Sequence, residues 1–261
     1  LLDKYADGWR EDPETLAKHC MNIPDEDLWE AHQSAKRRLL EEVNKHTVTP
    51  FDLDHLTLAS ARRVVAYKRP ELLYTNLERL KEVACGRLQI IHAGNAHPAD
   101  DFGQGVIRRM IERSNTLKDC VKIVYLENYN PDLAKLLVQG TDLWLNTPMR
   151  LHEASGTSGM KACLNGALNV STLDGWWVEA YEKDPNAGWR IGPLAKAIGE
   201  EEHIKADAED LYTQLQYEVI PEYYWRREQW IERMKRAICL IGHFNTHRCV
   251  KEYLRKAWNT K

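Results

Sequence analysis

Between residues 54 and 170, short apolar runs alternate with stretches of helical spacing, and this alternation restricts the chain to a parallel sheet with crossover helices. The runs are 55–60 (HLTLAS), 88–93 (LQIIHA), 121–126 (VKIVYL), 143–146 and 167–170, with helices expected over 71–83, 106–113 and 132–139. Helical patterns dominate again from residue 206 to the end. The predicted class is α/β, a Rossmann-like parallel sheet domain with flanking helices. Ligands of such sheets sit beyond the carboxyl ends of the strands, so the loops that follow the strands are where chemistry is to be sought.

Three units follow from the pattern: a helical connector over 1–50, the sheet domain over 51–205 and C-terminal helices over 206–261. In the connector, IPDEDLWEAHQSAKRRLLEEV reads as a helix with Asp25 as its cap. Leu28, Ala31, Ala35, Leu39 and Val43 form an apolar stripe on it that needs a partner surface. The chain starts at Leu1 rather than a methionine, and its opening LLDKYADGWR reads as the interior of a longer protein.

With 43% hydrophobic residues in 261, the chain can bury one large core. No apolar run approaches the roughly 20 residues of a membrane span, and a net charge of −3 with mixed signs offers no general attraction to nucleic acid or an anionic membrane. The tail from EVIPEYYW onward mixes aromatics with Arg226, Arg227, Arg233 and Arg236, but Glu222, Glu228 and Glu232 balance them, so it reads as packing. Six scattered cysteines without a CxxC pair indicate neither a zinc site nor a disulfide framework, which predicts a reducing, cytoplasmic setting.

Four strand-end loops carry chemistry-bearing residues. After the first strand, SARRVVAYKRPELL packs Arg62, Arg63, Lys68 and Arg69 into eight residues; a solvated basic face or a phosphate site would each use such a cluster. After the second, His92 and His97 lack a third ligand, so no metal is expected there. After the third, Tyr129 is either a packing aromatic or a site residue. After the fourth, Ala154, Ser155, Gly156, Thr157, Ser158 and Gly159 let backbone N–H groups approach an anion, and Met160, Cys163, Leu164 and Ala167 continue at helical spacing. Lys161 in the first turn of that helix would place an amine beside a phosphate nest, as a phosphate-bearing aldehyde cofactor requires, and Glu153 just before it could act as a cap.

The string EASGTSGMK followed by LNGALNVSTLDG closely resembles the pyridoxal-phosphate segment of the α-glucan phosphorylases, the glycogen, starch and maltodextrin enzymes. SARRVVAYKRP is similar to their motif of a basic pair, three residues and Tyr-Lys-Arg, and ENY at Tyr129 matches another. Phe244, Arg248, Tyr253 and Trp258 match their closing FxxxRxxxxYxxxxW, on helices expected to buttress the domain, so only about 187–209 falls outside the resemblance. It is a resemblance to the bacterial or archaeal type, and to the C-terminal half of a two-domain GT-B glycosyltransferase fold. It implies transfer of a terminal α-1,4-linked glucosyl unit from a glucan or maltodextrin to orthophosphate, giving glucose 1-phosphate with the phosphate of pyridoxal 5'-phosphate as proton shuttle. By the same resemblance Lys161 anchors the cofactor, and Arg62, where a lysine is usual, contacts its phosphate with the N–H groups of Thr157 and Ser158, beside Tyr129. Arg63 and Lys68 then hold the substrate phosphate, making Lys161, Arg63 and Lys68 the catalytic set, and Glu153 binds glucosyl hydroxyls with the N–H groups of Ser155 and Gly156. Asn95 stands where relatives often carry lysine, which removes one expected cation. The resemblance further implies a missing N-terminal half, which would cover the connector's stripe and without which this piece would be inactive, and leaves a homodimer open.

Three rivals remain at this level. A nucleotide-sugar glycosyltransferase would share the sheet but give Lys161 no role in this context. A non-catalytic glucan-binding fragment would share every motif. An aminotransferase-type enzyme would need an acid or base at a pyridine nitrogen, and no such arrangement is recognisable.

Overall fold

The structure is a computed structural model that describes residues 1–192 and 200–258, side chains of 200–202 excepted. Its centre is an all-parallel sheet of six strands: β1 (Leu56–Ala61), β2 (Leu88–Ala93), β3 (Lys122–Leu126), β4 (Leu143–Asn146), β5 (Leu168–Thr172) and β6 (Gly188–Ile191). They lie in the order β3-β2-β1-β4-β5-β6. The five runs expected from the sequence are present within a residue or two of their predicted bounds. β6 was not foreseen: four residues opening on Gly188, just after Pro185 and Asn186, carry turn chemistry rather than a strand signature. Residues 193–199, inside the stretch that the phosphorylase resemblance skips, lie outside the described residues.

Helices α1 (Asp25–Val43), α2 (Leu77–Ala84), α3 (Asp101–Leu117), α4 (Pro131–Gly140), α5 (Ser158–Leu164), α6 (Trp176–Lys183), α7 (Glu200–Gln214), α8 (Arg227–Ile241) and α9 (Thr246–Lys256) surround the sheet. The helix expected over 71–83 is divided: a single tight turn covers Leu72–Tyr74, and Asn76 then caps α2 by accepting from Arg79 N at 3.0 Å. α7 runs across residues 205 and 206, where the sequence reading separates sheet domain from tail.

Strand residues alternate between two cores, as a pleated backbone requires. Leu56, Leu58, Leu88, Ile90, Leu143, Leu145, Leu168 and Val170 face one cluster, shared with α8 and the aromatic tail. Ala59, Ala61, Ile91, Ala93, Trp144 and Ala167 face the other. The many alanines on this second face let α1 and α4 come close, through Leu39, Leu40, Val43, Leu137 and Val138. At Gly140 the approach is tightest, for a Cβ there would stand 2.6 Å from Leu39 Cβ and 2.7 Å from the Ala35 carbonyl oxygen.

These contacts correct three expectations. The stripe on α1 has its partner within this chain, in α4 and α8, and Leu28, Leu39 and Val43 are buried without any upstream segment. Tyr223 and Trp230 are buried as the packing reading of the tail expects, although Trp225 is 73% exposed. Asp25 is not the cap: the helix starts after Pro24 with no side-chain cap, and the carboxylate instead pairs with Lys235, a nearly buried ammonium that needs a counter-charge. At the other end, α9 buries none of its residues, so of the closing motif only Phe244, just before α9, packs on the domain, with its ring 5.3 Å from that of Trp176; Tyr253 and Trp258 stack on each other at 5.7 Å instead.

A fourth correction concerns the cysteines. Cys85, which ends α2, and Cys120, which precedes β3, form a disulfide with Cα atoms 4.9 Å apart. Spacing along the chain hides this pair because it is made by the sheet: β2 and β3 are parallel neighbours, so the turns that feed them lie side by side, with Gly86 N donating to Cys120 O at 3.2 Å.

One polar group is sealed where the elements meet. Asp142, at the start of β4, accepts from Lys36 Nζ at 2.6 Å, from Thr57 N at 2.7 Å and lies 2.8 Å from His32 Nε2. Lys36 also reaches the His55 carbonyl at 2.7 Å and the Tyr223 hydroxyl at 3.0 Å. Burial alone would raise the Asp142 carboxyl, but the Lys36 ammonium and the His32 bond hold it below its usual range, so it stays ionised. Asp142→Leu leaves the Lys36 charge buried and alone, and is expected to lower the unfolding free energy by about 3–5 kcal/mol in urea titration. Adding Lys36→Met should recover part of that loss; a double variant no more stable than the single would show that this carboxylate does not balance this ammonium.

Candidate functional site

The strand order reverses between β1 and β4, so the loops that leave these strands diverge and open a crevice at the carboxyl edge. The loop after β1 carries Arg62, Arg63 and Lys68, and the loop after β4 runs from Thr147 to Thr157 before entering α5. Backbone contacts lace the two together: Met149 N donates to Tyr67 O at 2.6 Å, and Thr147 Oγ1 lies 3.0 Å from the carbonyls of both Lys68 and Arg69.

Arg69 and Arg150 fasten this lacing to the rest of the fold. Arg69, at a left-handed φ of 45°, donates to Thr147 O at 2.9 Å and Pro148 O at 3.0 Å and pairs with Asp207 at 2.8 Å. Arg150 grips the same carboxylate with two nitrogens, at 2.7 and 2.9 Å. Asp207 on α7 is fully buried, and two guanidiniums compensate it. The sequence reading missed Arg150 and Asp207, because nothing local to either indicates that they meet. It also missed Asp174, whose carboxylate accepts from Leu151 N at 3.0 Å and Glu153 N at 2.8 Å and so fixes the approach to Glu153. Here a signal existed: Asp-Gly marks a tight turn. Gly175 has φ +56° and a Cβ would lie 2.2 Å from Ser155 O, to which Trp176 N donates at 2.8 Å.

Most of the predicted site residues gather around the crevice, in two neighbouring spaces. In the smaller, Lys68 and Glu153 form an ion pair beside Ser155, Gly156, Ser158 and Asp174. In the larger, a cleft of about 590 Å³, Lys161 is flanked by Tyr129, Trp144 and Ser158, with Trp144 Nε1 donating to Ser158 Oγ at 3.2 Å. Ser158 lines both. The backbone N–H groups of Ser155, Gly156, Thr157 and Ser158 donate to no acceptor among the described residues. Arg63, next to Arg62 in the same loop, is exposed and makes no ion pair among the described residues.

Arg62 turns inward. One of its terminal nitrogens donates to Leu145 O, while its Nε is buried and has no acceptor. Burial lowers its pKa to about 10, with Glu153, Tyr129 and Tyr67 within electrostatic range acting in the opposite sense. Tyr129 is raised by burial and drawn back by Arg62. Asn95 does not face the crevice as a cation would; it holds the loop after β3 by donating to Tyr129 O at 2.9 Å.

His92, within β2, and His97, in the loop after it, serve separate purposes. His97 accepts from Ala99 N at 3.1 Å and shapes the turn before α3. His92 is buried, 2.7 Å from the Tyr74 hydroxyl, which also contacts Ser114 Oγ at 3.0 Å. Burial, with the Arg62 charge nearby, lowers its pKa to about 3, so it is neutral where an exposed histidine would titrate. The unfolded chain binds a proton at this side chain near pH 6.5 and the folded one does not, so stability is lost as pH falls below 6.5. At pH 5 the loss from this group is about 2 kcal/mol. His92→Phe should flatten the decline in unfolding free energy between pH 7 and 5; an unchanged slope would show that His92 titrates normally.

Such a crevice, with cations and free backbone donors at a switch point and a lysine in the adjoining cleft, defines an open α/β sheet domain with a candidate ligand site at its carboxyl edge. Residues 1–186 match the family model of carbohydrate phosphorylases, and the chain belongs to that family. It is 41% identical to the maltodextrin phosphorylase of Thermococcus litoralis, over 99% of this chain and 33% of that protein. It is 39% identical to the glycogen phosphorylase of Aquifex aeolicus, over 95% of this chain and 39% of that one. The glycogen phosphorylase of Mycobacterium tuberculosis is 37% identical over 79% of this chain and 25% of its own length. The chain thus spans a quarter to two-fifths of the length of these curated relatives.

Proposed function

We propose that this chain is the part of an α-1,4-glucan phosphorylase that binds pyridoxal phosphate and orthophosphate. The whole enzyme would transfer a terminal glucosyl unit from a glucan or maltodextrin to orthophosphate and release glucose 1-phosphate, with the other wall of the crevice supplied by residues beyond this chain. The observation that carries the reading is the meeting of Arg62, Lys68, Glu153, Lys161 and four free backbone N–H groups where the sheet order reverses.

The residues present fit the cofactor. Lys161 opens on a cleft walled by Tyr129 and Trp144, and the free N–H groups of Thr157 and Ser158, with the unsatisfied Arg62 Nε, suit a phosphate. When bound, the group supplies a phosphate whose second ionisation lies near neutrality, able to exchange a proton with the substrate phosphate. Arg63 and Lys68 are assigned to the substrate phosphate. Two phosphate dianions side by side repel, by about 1 kcal/mol per charge pair at 4 Å in water and more in a protein crevice. Arg62, Arg63 and Lys68 offset that repulsion and leave one proton mobile. Glu153 and the N–H groups of Ser155 and Gly156 are assigned to glucosyl hydroxyls. Because Lys68 and Glu153 are paired with each other, substrate binding exchanges one partner for another on each side and leaves neither charge bare. A cytoplasmic location belongs to the same proposal, and Cys85–Cys120 would be among the minority of disulfides that persist in a reducing compartment.

Borohydride reduction of the chain loaded with pyridoxal phosphate, followed by peptide mapping, should fix the pyridoxyl group on Lys161. Label on another lysine, or on none, overturns the assignment. In the full-length enzyme, Arg63→Ala is expected to weaken phosphate saturation and turnover more than cofactor retention, and Arg62→Ala the reverse. Each loss should amount to about 1.5–3 kcal/mol, or roughly tenfold to more than a hundredfold. Equal effects on phosphate saturation would abolish the division of roles.

A further inference from the structure

Two cysteines that take no part in the site meet at the back of the fold. The first twenty-two residues pack on α8, and Cys20 closes their second helical turn by donating its N–H to Leu16 O. Cys239, on α8, directs its thiol at the same carbonyl at 3.8 Å. The Cys239 sulfur and the Cys20 backbone N–H thus meet at one carbonyl oxygen, from chain positions 219 residues apart (239 − 20).

Their surroundings are unequal in a way that suits sequential reaction. Cys20 is fully buried, and its thiol is held up by donating to Cys239 and by burial. Cys239 is half-exposed and drawn down, first by accepting from Cys20, against the effect of burial, with a further bond from the Met21 backbone. The accessible sulfur is thus the better nucleophile and the hidden one its neighbour. The other free thiols lack this arrangement: Cys163 is buried, faces Asn169 Nδ2 at 3.4 Å and is raised by burial, and Cys249 is exposed on α9.

We propose that Cys20 and Cys239 are a dithiol modification site which small-molecule disulfides close into a second disulfide, fastening residues 1–22 to α8. The Cys239 thiolate attacks one sulfur of the small disulfide, forming a mixed disulfide and expelling one thiolate. Cys20 then loses its proton and attacks the Cys239 sulfur, expelling the second thiolate. Two protein thiols are oxidised, one small disulfide is reduced to two thiols, and the two protons pass to the leaving groups. The consequence reaches the candidate site because α8 packs directly on α5, the helix of Lys161, and Ile238 shares a cleft wall with Leu164, Leu2 and Trp9. This inference is independent of the phosphorylase reading.

The test uses the whole chain carrying Cys249→Ser, purified without reductant so that Cys85–Cys120 stays closed. Four free cysteines less Cys249 leave three. After exposure to oxidised glutathione and removal of the excess, thiols counted in denaturant should fall from three to one, the survivor being Cys163, with a tryptic peptide joining Cys20 to Cys239. A joined peptide already present before oxidation supports the proposal equally. In the same background Cys20→Ala should instead accumulate a glutathione adduct on Cys239, since no second sulfur is there to displace it. Three thiols remaining, a lasting adduct on Cys239 despite Cys20, or a bond from Cys239 to any other cysteine would overturn the proposal.

Discussion

The carboxylate of Asp142 is the point at which four parts of the chain are held in one register. It takes a hydrogen bond from the backbone of β1, begins β4, and draws Lys36 and His32 of α1 into the interior, while Lys36 in turn reaches the tail at Tyr223. A buried carboxylate is tolerable only when every lone pair is used and its charge is matched. Here the matching partners come from residues 32, 36 and 57, so the anion costs little only in this one arrangement. Once β1 and β4 are neighbours in this register, their far ends diverge, and the crevice follows from the sheet order alone.

At the opposite end of the same strands, a second buried carboxylate does the complementary work. Asp207 brings Arg69 and Arg150 together, and through them the loop after β1 and the loop after β4 move as one body. Asp174 adds the last restraint, on the backbone before Glu153. Three aspartates are thus spent inside the protein so that Lys68 and Glu153, which face the crevice, need no flexibility of their own.

What could be read from the sequence depended on how local its cause was. The strands β1 to β5 were legible because each writes its burial into four to six consecutive residues, and the cations after β1 and the small residues after β4 were legible because they cluster within one loop. The resemblance to the phosphorylases added the roles proposed for them. Whatever required two distant segments was not legible. The α1 stripe packs on Leu137 and Val138 of α4 and comes closest at Gly140, a residue that carries no apolar signal. Cys85 and Cys120 meet only because β2 and β3 pair, and Arg150 and Asp207 only because α7 returns across the edge of the sheet. β6 failed for another reason, since its opening glycine and the Pro-Asn before it fit a turn better than a strand.

The candidate site gathers several donors without partners into one loop cluster, whereas unpartnered buried atoms elsewhere, such as Asn169 Oδ1 and Trp230 Nε1, are scattered. Lys36, Asp142 and Asp207 are buried and fully partnered, whereas Arg62 Nε is buried with no acceptor and four successive N–H groups, from Ser155 to Ser158, have none either. An unmet buried donor costs about 1–3 kcal/mol, and that cost falls on Arg62 Nε, whereas Ser155 and Thr157 are exposed and their N–H groups are open to solvent. The same groups sit at one end of a crevice that also holds the Lys68–Glu153 pair. A bound anion would satisfy the guanidinium and several N–H groups at once, in surroundings less polar than water, where each such bond is stronger. The unpartnered Arg62 Nε is therefore both a cost to the fold and a donor that would hold a phosphate, with the open N–H groups of 155–158 beside it.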